Sequence, residues 1–162
     1  MRTSSWSTGL VREFRGFALF VPDSARVEPS DSVAGDVRLS WSGCASCGLI
    51  VRLEEDSSGA GIDGRVARLM AAQRVIDSIN NDPHTTVFEF DELDGPPRPF
   101  KTATQRGIML EDSCGDCGSE TMLFGRRGQI AVVSLSGDDD EPAGPRRMCE
   151  LAVVGKTFRW RE

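Results

Sequence analysis

Residues 44–48 read Cys-Ala-Ser-Cys-Gly, and residues 114–118 read Cys-Gly-Asp-Cys-Gly. The two stretches use four of the chain's five cysteines. Each lies between segments with strand character. Val37–Trp41 (VRLSW) alternates apolar and polar side chains before the first pair, and Leu49–Leu53 (LIVRL) leaves it. Gly107–Leu110 leads to the second pair, and Thr121–Phe124 leads away. A period of two marks a half-buried strand. Strand, cysteine pair, strand therefore predicts two hairpins, each with its cysteines at the tip.

Zinc prefers soft thiolate ligands in a tetrahedron. Two residues between cysteines let one tight turn present both sulfurs to one ion, and Gly48 and Gly118 permit a positive φ after each turn. Each pair alone lacks two ligands. Cys44, Cys47, Cys114 and Cys117 are therefore expected to share one closed Zn2+ site that joins the hairpins. Sixty-six residues lie between Cys47 and Cys114, against ~15–20 in the compact pattern. Closing the longer loop costs roughly 1.2 kcal/mol, while structural zinc contributes an apparent ~10–16 kcal/mol, so the spacing is no obstacle.

The repeated CxxCG resembles the zinc-ribbon superfamily over the two knuckles and their hairpins. The interior pairs Ala45-Ser46 and Gly115-Asp116 depart from the frequent form with proline inside the knuckle. The resemblance implies an interaction module, because the superfamily includes subunits and factors of transcription, translation and replication.

A chain of 162 residues fits a single domain, 1–162, with 54–106 as a structured insert between the knuckles. The expected class is α+β: mostly antiparallel strands with one main helix, and the zinc-ribbon-like site between two hairpins. The helix is expected over 63–80. Asp63 can cap it, Ile62, Val66, Leu69, Ile76 and Ile79 recur at helical spacing, and Asn80-Asn-Asp-Pro83 stops it. Its Arg65 and Arg68 are read as a solvated face. Gly16–Val21, Thr85–Phe90, Gln129–Leu135, Met148–Val154 and Lys156–Trp160 read as strands, and 22–36, 54–62, 91–99 and 137–147 as loops. Cys149 reads as a small buried hydrophobe, and His84, the sole histidine, as a surface turn residue.

No apolar run approaches the ~20 residues that cross a bilayer, and Met1–Trp6 shows no secretory h-region. The expected location is cytoplasmic, with thiols kept for metal and not for disulfides. A net charge of -6 argues against a simple nucleic-acid binder, but the charge is uneven. Residues 1–20 carry +2 and residues 144–162 carry +3, so the middle carries -11. If the two ends meet, they form a basic patch on an acidic body.

No nucleophile–base arrangement, phosphate loop or dinucleotide fingerprint is visible, and four thiolates would close the metal shell. The expected function is a non-enzymatic zinc-binding adaptor or subunit of a larger macromolecular assembly, with a protein partner and no membrane. One alternative is nucleic-acid binding through the Arg-rich terminal segments, with Trp6, Trp41 or Trp160 stacking on bases. The other is a CxxC thiol–disulfide oxidoreductase. Oligomeric state leaves no mark in the sequence.

Overall fold

A computed structural model describes residues 8–29, 36–80, 92–93, 96–114, 117–138 and 144–162. Two strands, β1 (Gly9–Phe14) and β2 (Phe17–Pro22), form a hairpin, followed by β3 (Ala25–Pro29), β4 (Val37–Trp41) and the long β5 (Cys44–Glu55). Helix α1 (Gly61–Asn80) leads to β6 (Glu92–Leu93), β7 (Arg98–Lys101), β8 (Arg106–Cys114), β9 (Cys117–Arg126) and β10 (Gln129–Asp138). Helix α2 (Gly144–Gly155) and β11 (Arg159–Trp160) close the chain.

The strands make an eight-stranded sheet, ordered β3-β4-β5-β10-β9-β8-β6 with β7 also on β8, and a three-stranded sheet, β1-β2-β11. Every described pairing is antiparallel. The α+β class with mostly antiparallel strands is therefore as expected, with two described helices in place of one main helix.

β10 lies between β5 and β9, and its alternation decides the layering. Ala131, Val133 and Leu135 face one side in register with Leu53, Val51 and Leu49 of β5 and with Phe124, Met122 and Glu120 of β9. This side packs against Phe17, Leu19 and Val21 of β2, Leu151 and Val154 of α2, and Phe158. β2 is buried almost throughout, the pattern of a strand covered on both faces. The opposite side presents Ile108, Leu110, Leu123 and Ile130 to Ile62, Val66 and Leu69, one stripe of α1 at i, i+4, i+7. Gly125 admits that helix: a Cβ there would stand 3.1 Å from Ile62 Cγ2.

Stacked rings tie the two sheets together. Phe14 lies 5.0 Å from Phe17, Phe17 5.5 Å from Phe158, and Phe158 4.9 Å from Phe124. Phe100 meets Phe124 edge-on at 5.6 Å, and its ring lies over Gly107, where a Cβ would come within 2.5 Å of it.

Several segments differ from expectation. Met148–Val154 is helical because its buried positions, Leu151 and Val154, are three apart while Val153 is exposed, a helical and not an alternating pattern. β1 and β3 form because β2 and β4 offer paired edges, although Ala25–Pro29 lies in the turn-rich stretch expected to be a loop. The loop expected over 54–62 is shorter, 56–60: β5 runs to Glu55, α1 begins at Gly61, and Asp56 organises the start of α1. The expected strand Thr85–Phe90, His84 and Trp6 lie outside the described residues.

Toward its β8 edge the inner side carries charged groups. Glu120 stands opposite Glu111 in the β8–β9 ladder, with Arg98 paired to Glu111 and Lys156 nearby. Burial, and then repulsion from Glu111, pushes the Glu120 carboxyl above its ordinary value of 4.5. The folded chain thus holds this proton more tightly than the unfolded chain. Stability is greatest below the ordinary glutamate range and falls as pH rises through it to the raised folded value. Glu120→Gln should therefore raise Tm near neutral pH, with the gain vanishing at acid pH. Thermal melts of both proteins across that range check this, and an equal shift at every pH would contradict it.

Candidate functional site

The topology brings both cysteine pairs to one end of the large sheet, the first on β5 and the second across the β8–β9 turn. Gly48 of β5 pairs with Ser136, and Cys117 of β9 pairs with Asp138. The second pair sits as expected at a hairpin end, with Cys114 opposite Cys117 closing the β8–β9 ladder. The first pair does not. The β4–β5 turn is Ser42–Gly43, and Cys44 and Cys47 lie within β5. Trp41 pairs with Cys44 while Ser40 pairs with Gly48, so residues 45–47 form a bulge. The bulge brings Cys44 and Cys47, three apart, within a Cα separation of 5.3 Å, and they form a disulfide.

This disulfide overturns the expected Zn2+ centre and the zinc-knuckle character of the first pair. Zinc binds thiolates, and both sulfurs here are spent on each other. Among the described residues, no group of three or more His, Cys, Asp or Glu is placed to hold a metal ion. Cys44 and Cys47 are 6% and 5% exposed, and both belong to the main core beside Trp41 and Leu49. Thiol–disulfide exchange needs a thiolate to reach a sulfur. An attacker would have to enter this core, so the pair serves as a covalent staple of the bulge. Cys149, expected to be buried, is exposed and free on α2.

The opposite end of the sheet gathers the arginines. The described parts of the two terminal segments meet there, through β1-β2-β11. The Arg161 amide donates to the Gly16 carbonyl at 2.9 Å, and its guanidinium donates to the Phe14 carbonyl at 2.8 Å and lies 3.4 Å from Glu13. Arg126, last residue of β9, donates to the Arg161 carbonyl at 2.6 Å and to Gln129 Oε1 at 2.8 Å, and stacks 4.4 Å over the Trp160 ring. Gln105 donates to the Phe158 carbonyl at 3.0 Å. Trp160 is thus an anchor under an arginine, and Trp41 is buried in the core.

A cleft of about 580 Å³ opens beside this junction, between the start of α1, the 102–106 loop and the Arg127–Gly128 turn. Its floor is set by backbone bonds. The Asp56 amide donates to the Gly128 carbonyl at 2.9 Å, and Gly128 can make the turn because its φ is 78°. The Asp56 carboxylate accepts from the Ser58 hydroxyl and the Gly61 amide, each at 2.8 Å. Those bonds, the Ser58 hydroxyl first, hold its carboxyl below the ordinary 3.8 and cap α1 in place of Asp63. Asp63 instead accepts two bonds from Arg106 at 2.8 Å. Arg65 pairs with Glu54 at 3.1 Å, and Arg68 donates to Ser58 at 3.3 Å. Arg106, Arg126 and Arg127 line the cleft, and among the described residues Arg127 makes no ion pair. Arg15 and Arg159 are exposed nearby on the same joined ends.

Sequence reasoning located the basic ends but missed the cleft, because its arginines come from positions 106, 126 and 127. Arg126-Arg127-Gly128 carries the glycine of a turn, but nothing in the sequence places it beside the C-terminal segment.

Iodoacetamide applied to the folded, unreduced chain should label Cys149 and leave Cys44 and Cys47 joined. Mass mapping of the digest should find the peptide carrying them lighter by two hydrogen atoms than its reduced form. Rapid labelling of Cys44 or Cys47 would contradict the staple.

No family model matches the chain, and no curated protein matches it. Among solved structures, it is similar to cyanobacterial PsbP (CyanoP) from Synechocystis sp. PCC 6803, at TM-score 0.61 and 16% identity, covering 90% of this chain and 87% of that one. A protein from Bacteroides thetaiotaomicron aligns at TM-score 0.44 and 13% identity, over 90% of this chain and 45% of its own. The likeness to cyanobacterial PsbP is one of fold.

Proposed function

We propose that this chain is an interaction module, an adaptor or subunit of a larger assembly, that holds an acidic segment of a protein partner in the arginine-lined cleft. The convergence of Arg126 and Arg127 on one cleft, beside an Arg106 already paired with Asp63, supports this reading. Guanidinium groups present a planar fork that matches carboxylates. Arg126 is fixed by two hydrogen bonds and a stacked indole, so little side-chain freedom is lost when a ligand arrives. The acidic remainder of the chain, net -6 overall, favours a short acidic segment over an extended polyanion that would run across the body.

The test is an amide-shift titration of the intact chain with a glutamate-rich peptide and, separately, with a single-stranded oligodeoxynucleotide. The peptide should shift amides of 56–63 and 125–128 and weaken as salt rises. Arg127→Glu should weaken it about tenfold or more, equivalent to at least ~1.4 kcal/mol. Tighter binding of the oligonucleotide at the same amides would favour the nucleic-acid alternative. Shifts confined to other regions would remove the cleft from the account.

A further inference from the structure

Among the described residues β1 is the outer strand of the three-stranded sheet, and no described strand lies along one side of its backbone ladder. Which groups lie on that side follows from one bond. The Asp23 amide donates to the Thr8 carbonyl at 2.8 Å, so Thr8 turns its polar groups toward β2. Bonded and non-bonded positions alternate along an antiparallel ladder. Leu10, Arg12 and Phe14 therefore also bond to β2, while Gly9, Val11 and Glu13 point their N–H and C=O groups outward. Gly9 agrees, since its opposite number is Pro22, which has no N–H to give. Exposed apolar side chains sit on the same edge: Leu10 is 73% exposed and Val11 54%. An edge of this kind is a template for another strand.

We propose that β1 pairs antiparallel with β1 of a second copy of this chain, about a two-fold axis at Val11, giving one continuous six-stranded sheet. Charge and hydrogen-bond parity select this register. Outward residues must face outward residues. With Val11 opposite the partner's Val11, Gly9 faces the partner's Glu13 and Leu10 faces the partner's Arg12. All outward groups of Gly9, Val11 and Glu13 are then bonded, and no like charges stand directly opposite each other. Moving the axis to Arg12 sets Arg12 against the partner's Arg12, and moving it to Glu13 sets two carboxylates together; like charges directly opposite are destabilising. Moving it to Leu10 carries Glu13 past Gly9, where the partner's β1 begins, so fewer outward groups are bonded strand to strand. In the selected register the two Val11 side chains meet at the axis, and Leu10 covers the aliphatic stem of the partner's Arg12. The contact is self-complementary and closes at two chains. A strand pairing this short falls at the small end of specific interfaces, so the dimer is concentration-dependent.

Sedimentation of the intact chain from micromolar to near-millimolar concentration tests it. The mass should rise from one chain toward two. Val11→Pro removes an outward N–H while sparing every β1–β2 bond, and Val11→Lys sets two like charges at the axis. Each should weaken self-association at least tenfold, with the far-ultraviolet circular dichroism of the monomer unchanged. A wild-type chain that keeps the one-chain mass throughout overturns the proposal, as does a dimer that both variants form as tightly as wild type.

Discussion

The seat of Phe158 is the contact on which the rest of the structure depends. Its ring stacks on Phe17 from the small sheet and on Phe124 from the large one, and meets Trp160 edge-on at 5.1 Å. Aromatic pairs in such geometries add about 0.5–1.5 kcal/mol each beyond the area they bury. The two sheets share no strand, so packing and not a hydrogen-bond ladder must join them. Phe158 supplies that packing from a segment only a few residues from the chain end. Its carbonyl is held by Gln105 and its amide by the Gly155 carbonyl. Once the ring is seated, Trp160 and Arg161 follow into place beside Arg126. The arginine-lined cleft is therefore a consequence of core packing.

The two ends of the large sheet have opposite characters for physical reasons. At one end a bulge in β5 turns two cysteines inward, where a disulfide satisfies them among apolar neighbours. An unpaired thiolate there would bear the cost of losing water. At the other end the turns are polar, and Arg106, Arg126 and Arg161 are fixed by carbonyls, carboxylates and an indole face. Recognition chemistry collects where charged groups are both oriented and wet. At the staple end the Cys44 and Cys47 sulfurs are buried, and among the described residues no group is placed to hold a metal.

Much of the strand content was legible from periodicity. Val37–Trp41, Leu49–Leu53 and Gln129–Leu135 alternate or run apolar, and each is a strand. The helix at 63–80 was legible from Ile62, Val66 and Leu69, which form the stripe that packs. The errors have one source. A CxxC pair looks alike in sequence whether it caps a hairpin, chelates zinc or closes a disulfide, because spacing constrains only local reach. For Cys44 and Cys47 the deciding fact was the β4–β5 register, in which a turn two residues earlier displaces the pair from the tip. Met148–Val154 misled for a similar reason: a short apolar run fits either period until its buried positions are known.

The sequence by itself determined which segments could be strands or helix, that the chain ends are basic, and that four cysteines lie in two matched pairs. These are local properties, written in side-chain type and spacing. Only the tertiary structure decided that Cys44 and Cys47 face the core as a disulfide, that the basic ends join through β2, and that Arg106, Arg126 and Arg127 surround one cleft. Those outcomes depend on strand register and on packing between residues far apart in the chain, and a shift of one residue in register would reverse which side chains meet.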